Sequence, residues 1–227
     1  MALLVALGSP TTARADYATG ERAYRQGDYE AALAEWRAAA AAGDPAAQNG
    51  IGRLYRHGKA VPRDHEEALR WFRRAAAQGH ARAQNNIGRM YDEGFGIPQD
   101  KRAALAWYRR AADQGYAKAA FNLGEMHRLG QGTPVDSEAA VRWFRFAAER
   151  GLAAAQFNLA VMYANGRGVA RDMVQAYKWF WLAAEQNFPG AEWNRHLAAE
   201  RMSPAAVAQA TRRAKAWRRS PPGRGTE

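Results

Sequence analysis

Trp71, Trp107, Trp143 and Trp179 stand at an interval of thirty-six residues, and the same interval separates Asp64, Asp100, Asp136 and Asp172 and also Ala68, Ala104, Ala140 and Ala176. A fixed period of this length means that one structural unit is repeated and stacked, since independent globular cores have no reason to keep register. Four registers run from about Asp44 to Phe188, and the clearest copy is AQNNIGRMYDEGFGIPQDKRAALAWYRRAADQG, Ala83 to Gly115. A unit too small to bury its own apolar surface gains stability by stacking on its neighbours, so the period predicts one elongated array in place of a single compact core.

Each unit reads as two helices. Gln84, Ile87, Gly88 and Tyr91 recur at helical spacing, which predicts a first helix of about three turns with one packed face, ended by Gly94. Asp100 is the N-cap of the second helix, and in the first copy Glu67 follows Asp64 by three residues, the spacing of a capping box. The second helix carries Ala104, Leu105, Trp107, Tyr108, Ala111 and Ala112 and stops at Gly115, where a left-handed conformation costs least; Asn187 takes that place in the last copy. Gly52, Gly88 and Gly124, with Ala160 in the fourth copy, stand mid-helix, where glycine costs about 1 kcal/mol relative to alanine. Close approach of the two helix backbones against Ala68, Ala104, Ala140 and Ala176 is the expected gain. Each Trp and the aromatic after it, Phe72, Tyr108, Phe144 or Phe180, are expected to fill the space between repeats.

The order Ala, Leu/Ile-Gly, Tyr, Gly-x-Gly-Val, Asp, Ala, Trp, Ala-Ala, Gly resembles the Sel1-like repeat, a relative of the tetratricopeptide repeat with a longer internal loop. About ten positions match per copy over Asp44 to Phe188. Departures are Ala60 for the second loop glycine of copy one, His127 for the Tyr and Thr133 for the Val of copy three, and Ala160 for the helix glycine of copy four. The resemblance implies an all-α, right-handed α-solenoid of about four Sel1-like helix pairs at 44–188. A tetratricopeptide-like N-terminal pair at 16–43 and capping helices at 189–219 complete it, with a frayed tail at 220–227. Proteins of this kind are generally scaffolds or regulators in signalling, secretion or envelope processes, which implies a non-catalytic adaptor for a protein or peptide partner.

Residues 1–15 combine an apolar run, Ala2 to Leu7, with the small-residue ending Ala13-Arg14-Ala15. That is the pattern of a signal-peptide apolar core and cleavage site, although no basic segment precedes it. The expectation is a periplasmic or secreted protein; a cytoplasmic protein with an unstructured N-terminus is the alternative. No stretch approaches the roughly 18 apolar residues that a membrane-spanning helix needs. The absence of cysteine excludes a disulfide framework, a thiol nucleophile and a thiolate metal site.

The formal charge is +11, and Arg201 to Glu227 holds seven basic residues against one acidic, a net of +6. A protein tracking a phosphate backbone places Lys and Arg along its groove in every repeat. By analogy with tetratricopeptide arrays the groove side of the first helices carries Asn49, Arg53 and Arg56, then Asn85, Arg89 and Asp92, then Phe121, Glu125 and Arg128, then Phe157, Val161 and Ala164. Basic character fades along that series, which argues against nucleic acid; the C-terminal charge fits a solvated segment or a weak contact with an anionic surface. His57, His65, His80, His127 and His196 show no metal-ligand spacing. The Gly-x-Gly stretches at Gly94, Gly130 and Gly166 follow helices and recur at the period, which makes them loops and not phosphate cradles. No metal, cofactor or catalytic residue is implied.

Asn86, Asn122 and Asn158 form one further series, broken by Gly50. In related tetratricopeptide arrays an asparagine at this site can clamp a bound peptide backbone, and the resemblance implies the same here, with Arg53, Arg89, Phe121 and Phe157 lining the groove beside it. An amide offers donor and acceptor together, which suits an extended chain of any sequence. An inter-repeat hydrogen bond that fixes stacking accounts for the series equally well. A groove that holds a glycan, stacked on Phe121 and Phe157 in an envelope carbohydrate-binding or enzyme-accessory protein, is a further alternative.

Overall fold

The computed structural model describes residues 16–219; the signal-like run at 1–15 and the tail at 220–227 lie outside the described residues. Twelve α-helices and no strand occur among them: α1 Tyr17–Gln26, α2 Tyr29–Ala41, α3 Pro45–His57, α4 His65–Ala77, α5 Ala81–Glu93, α6 Lys101–Asp113, α7 Ala117–Leu129, α8 Ser137–Glu149, α9 Ala153–Asn165, α10 Met173–Ala184, α11 Ala191–Ala199 and α12 Pro204–Arg219. They fall into two compact units, residues 1–78 and residues 79–227.

The first unit is built on Trp36 of α2, which is fully buried. Its indole Nε1 donates to the Tyr17 carbonyl at 3.2 Å, Tyr17 stacks on the ring at a centroid distance of 6.0 Å, and Tyr24 lies 5.5 Å away. Gly50 of α3 lies against the other side, where a Cβ would come within 2.6 Å of the ring. An asparagine therefore has no room at position 50, which is why the Asn series begins one repeat later. Gly27 turns the chain from α1 into α2 with φ 86°, and Asp28 caps α2 through Ala31 N at 3.0 Å.

In both units the second helix of each Sel1-like pair starts at the recurrent aspartate. Asp64 accepts from Glu67 N, Asp100 from Arg102 N and Ala103 N, Asp136 from Ala139 N, and Asp172 from Val174 N and Gln175 N. The capping box expected at Glu67 forms only in that one direction. Its carboxylate pairs with Arg70 at 2.6 Å, and the Asp64 amide that it was to serve donates to the Tyr55 carbonyl at 3.0 Å. The same backbone bond recurs from Asp100 to Tyr91, Asp136 to His127 and Asp172 to Tyr163, and ties the end of each long loop to the helix before it.

The mid-helix glycines admit a ring more than a neighbouring backbone, contrary to the expected contact. A Cβ on Gly52 would meet the Phe72 ring at 2.6 Å with the Ala68 carbonyl next at 3.1 Å; on Gly88 it would meet Tyr108 at 2.7 Å, and on Gly124 Phe144 at 2.5 Å. The aromatic after each Trp is thus the core residue, and Phe72, Tyr108, Phe144 and Phe180 are all buried. Trp71, Trp107 and Trp143 are half-buried, each with an arginine over its ring, because one residue along a helix is a rotation of about 100° away from the core. Only Trp179 of the four is buried.

The second loop glycines of the third and fourth copies sit on the preceding repeat: a Cβ on Gly132 would strike the Lys101 backbone at 2.6 Å, and one on Gly168 the Ser137 backbone. The helices after the last repeat are well packed against it, not a loose end. Ala210 and Ala214 of α12 are fully buried, and Trp217 meets Trp179 edge to face at 5.7 Å.

Candidate functional site

The side chains expected to line a groove lie on the first helices. In the second unit these are α5, α7 and α9, and consecutive ones are linked by the asparagines. Asn122 Nδ2 on α7 donates to Asn85 Oδ1 on α5 at 3.2 Å, and Asn158 Nδ2 on α9 donates to Glu125 Oε1 on α7 at 2.7 Å. Both asparagines are half-buried, and neither Oδ1 is among the buried polar atoms that lack a partner. Asn86 is half-buried one residue beyond buried Asn85 and takes part in polar contacts of its own. The donor of Asn122 and of Asn158 thus serves inter-repeat contact, while the acceptor oxygen remains open to a second group.

The charged residues expected in the groove are engaged. Arg89 holds Glu93 one turn along, with Nη2 to Oε1 at 2.9 Å. Arg128 grips Glu125 through Nε at 3.1 Å and Nη2 at 2.6 Å, and this carboxylate raises the pKa of the guanidinium further. Glu125 therefore receives Arg128 and Asn158 together, a polar node between two repeats. In the first unit Arg53 donates to Glu21 at 2.9 Å and lies over the Tyr24 ring at 4.1 Å. Burial pushes the Glu21 carboxyl up, but the Arg53 hydrogen bond and charge outweigh it and hold the group below its ordinary range.

Phe121 and Phe157, one residue before the asparagines, are half-buried. Phe121 leans on Phe144 at 5.9 Å, and Phe157 on Phe180 at 5.4 Å and Phe188 at 5.2 Å. Each presents part of its ring beside a half-exposed amide. In the second unit the structure thus brings together Asn122, Asn158, Phe121, Phe157 and the Glu125–Arg128 pair along adjoining helices; Arg53 belongs to the first unit.

One recurrent pair was missed by the sequence reasoning. Gln78, Gln114 and Gln186 donate to Gln48, Gln84 and Gln156 at 2.9, 2.7 and 2.9 Å, and join the end of the second helix to the start of the first within one repeat. The third repeat has Ala120 and Arg150 at the two places, and the joint loss of both glutamines was the available signal. Gln48, Gln84 and Gln156 are buried, and the exposed glutamine at the end of each second helix satisfies them, so these pairs serve the fold.

Among the described residues no group of His, Asp and Glu is arranged to hold a metal ion, and no helix is long and apolar enough to cross a membrane. Helix pairs in register, each second helix capped by the same aspartate, define an all-α repeat protein. The Sel1 repeat matches residues 45–80, 81–116, 117–152 and 153–188, and the chain belongs to this family. A Sel1 repeat protein from Oxalobacter formigenes is 32% identical over 82% of this chain and 76% of its own, with a TM-score of 0.70. A protective antigen of uropathogenic Escherichia coli strains displaying an SLR fold is 26% identical over 90% of this chain and 53% of its own, with a TM-score of 0.57. An immunity protein from Pseudomonas aeruginosa shares the fold at 18% identity, covering 86% and 82% of the two chains, with a TM-score of 0.52. A comparison with curated proteins returns no match. The Sel1 repeat is a helical scaffold that commonly mediates protein–protein interaction and is typically non-catalytic.

Proposed function

We propose that the chain is an exported, non-catalytic adaptor that receives an extended segment of a partner protein along α5, α7 and α9. The observation that carries this reading is the half-exposed row in which Asn122 and Asn158 keep an open acceptor beside the partly exposed rings of Phe121 and Phe157. An extended peptide needs acceptors for its amides and pockets for alternate side chains, and this row supplies both chemistries at the spacing of successive helices. The Glu125–Arg128 pair adds a charged point beside Asn158.

The test is a pulldown with the mature chain from a cell-envelope extract, followed by titration of the captured partner against Asn122→Ala and Phe157→Ala, each with a matched thermal melt. Loss of a paired amide is expected to weaken binding by about 1 to 3 kcal/mol. Loss of stability with full affinity in both variants refutes the groove assignment. Export is checked separately: N-terminal sequencing of the native protein is expected to begin at Asp16, after Ala13-Arg14-Ala15. A chain that retains Met1 in the cytosol refutes it.

The basic C-terminal segment is assigned a weak contact with anionic surfaces. Arg212, Arg213 and Lys215 of α12 are exposed, and Arg213 and burial together lower the pKa of Lys178, burial more. Co-sedimentation with anionic vesicles that vanishes at high salt is the expected result.

A further inference from the structure

A cavity of about 330 Å³ opens between the second and third Sel1 repeats, lined by Arg109 of α6, His127 of α7, the α8 cap Asp136, and Ala139, Arg142, Trp143 and Phe146 of α8. Its origin follows from comparing registers. Between the third and fourth repeats, Arg145 Nη2 donates to the Tyr163 hydroxyl at 2.9 Å. Thirty-six residues earlier the same two places hold Arg109 and His127. Imidazole is shorter than phenol, and Arg109 lies instead over the Trp143 ring, 4.7 Å from its centroid. The space that a tyrosine would occupy is left open.

Two more substitutions in the third repeat shape the cavity. Phe146 stands where Arg74 and Arg110 stand in the preceding repeats, so the wall beside Trp143 is aromatic, with the two rings edge to face at 6.0 Å. Arg142 follows Ala139 by three residues, whereas Arg70 at the same place in the first repeat is paired with Glu67 at 2.6 Å. Arg142 consequently makes no hydrogen bond or ion pair among the described residues. His127 itself is 9% exposed, and neither of its ring nitrogens has a hydrogen-bond partner. A buried imidazole left this way forfeits the hydration of both nitrogens, a cost that a bound group can recover.

We propose that this cavity is a binding site for a small organic monocarboxylate bearing an apolar ring or chain. The carboxylate sits between the guanidinium groups of Arg109 and Arg142, planar donors whose fork matches a carboxylate. The apolar body lies on Trp143 and Phe146. A turn of the His127 ring about its Cβ–Cγ bond brings an N–H to the remaining carboxylate lone pair. The lining carries two arginines and one carboxylate, Asp136, which is occupied in capping α8 through Ala139 N at 2.8 Å. That net single positive charge fits a monoanion better than a phosphate dianion, which would face Asp136. The size is at the lower end for organic ligands, enough for one ring and a short chain. His127 follows Asn122 by five residues, about 140° round α7, so this site is separate from the peptide row.

The test uses the full chain and follows the Trp143 indole resonance during titration with benzoate, benzamide and inorganic phosphate. Benzoate is expected to give a saturable shift, with benzamide and phosphate at least about tenfold weaker. Arg142→Gln is expected to weaken benzoate about tenfold through loss of a charged donor. His127→Tyr restores the residue of the other repeats, fills the cavity, and is expected to abolish the saturable shift while melting no lower than the wild type. No saturation of the folded wild type up to about 10 mM benzoate overturns the site, as does unchanged affinity in either variant. Benzamide binding as well as benzoate refutes the carboxylate assignment.

Discussion

His127 has a consequence for stability that is independent of any ligand. Burial lowers its pKa below the ordinary 6.5; Asp136 opposes this, and Arg109 and Arg142 add to it. The folded protein therefore binds this proton less readily than the unfolded chain does. Stability contributed by the neutral imidazole is present above pH 6.5 and is lost as pH falls through that value toward the depressed folded pKa. The melting temperature of the wild type is expected to fall further below that of His127→Tyr between about pH 7.5 and pH 5.5. An unchanged difference across that window would mean that the imidazole titrates alike in both states. The asparagines are separable in the same way. Asn158 donates to a carboxylate and Asn122 to a neutral amide, and charged hydrogen bonds are the stronger kind, so Asn158→Ala is expected to melt lower than Asn122→Ala.

At the scale of the helix pair, the contact that sets the spacing is glycine against ring. Gly124→Ala would gain about 1 kcal/mol of helix propensity but would drive a Cβ to 2.5 Å from the Phe144 ring, and such overpacking costs about 1 to 3 kcal/mol. The net effect expected in a denaturant melt is destabilisation. Ala160→Gly, the opposite change at the same place in the fourth repeat, removes a buried methyl and is expected to cost about 1 kcal/mol of helix propensity plus about 0.8 kcal/mol of lost burial. A stabilised Gly124→Ala would show that the ring has room to move. The helix pair itself was legible in the sequence because each packed position recurs at one interval, so the Trp, Asp and Ala series disclosed the unit without any knowledge of its partners. The expectation that both aromatics fill the core holds for Phe72, Tyr108, Phe144 and Phe180 and fails for Trp71, Trp107 and Trp143, for a geometric reason. Adjacent aromatics on a helix point about 100° apart, and the period repeats both, so recurrence alone does not tell Trp107 from Tyr108. The bonding of Asn122 and Asn158 was open for a related reason, since their partners Asn85 and Glu125 differ from one another and lie a repeat away. The cavity at His127 was visible only as a departure, a histidine at a tyrosine place, and acquired meaning once Arg109 and Arg145 were found on corresponding surfaces.

At the scale of the whole chain, the two units differ in how much apolar surface each encloses. In the first, a buried cluster is gathered about Trp36, with Leu33, Ile51 and Leu54 and otherwise alanines. In the second, one continuous cluster runs from Ala104 to Ala214 and includes Tyr108, Phe144, Trp179, Phe180 and Trp181. Helix α10 is the most enclosed segment of it, with Ala176, Tyr177, Trp179, Phe180, Trp181, Leu182 and Ala183 all buried. It packs on α9 as well as on α11 and α12. Local opening of a repeat protein is governed by intrinsic repeat stability and nearest-neighbour interfaces, so a helix covered on several sides opens only with its neighbours. Native-state hydrogen exchange is therefore expected to be slowest in α9 and α10 and fastest in α1, whose one buried residue is Gly20. Trp217→Ala tests the basis of that order, because this ring covers Trp179 from α12. It is expected to speed exchange in α10 while leaving α1 to α3 unchanged, since those helices draw their protection from Trp36. Equal acceleration in both units would mean that they open as one cooperative block, and α12 would then protect the whole chain and not only the repeat beneath it.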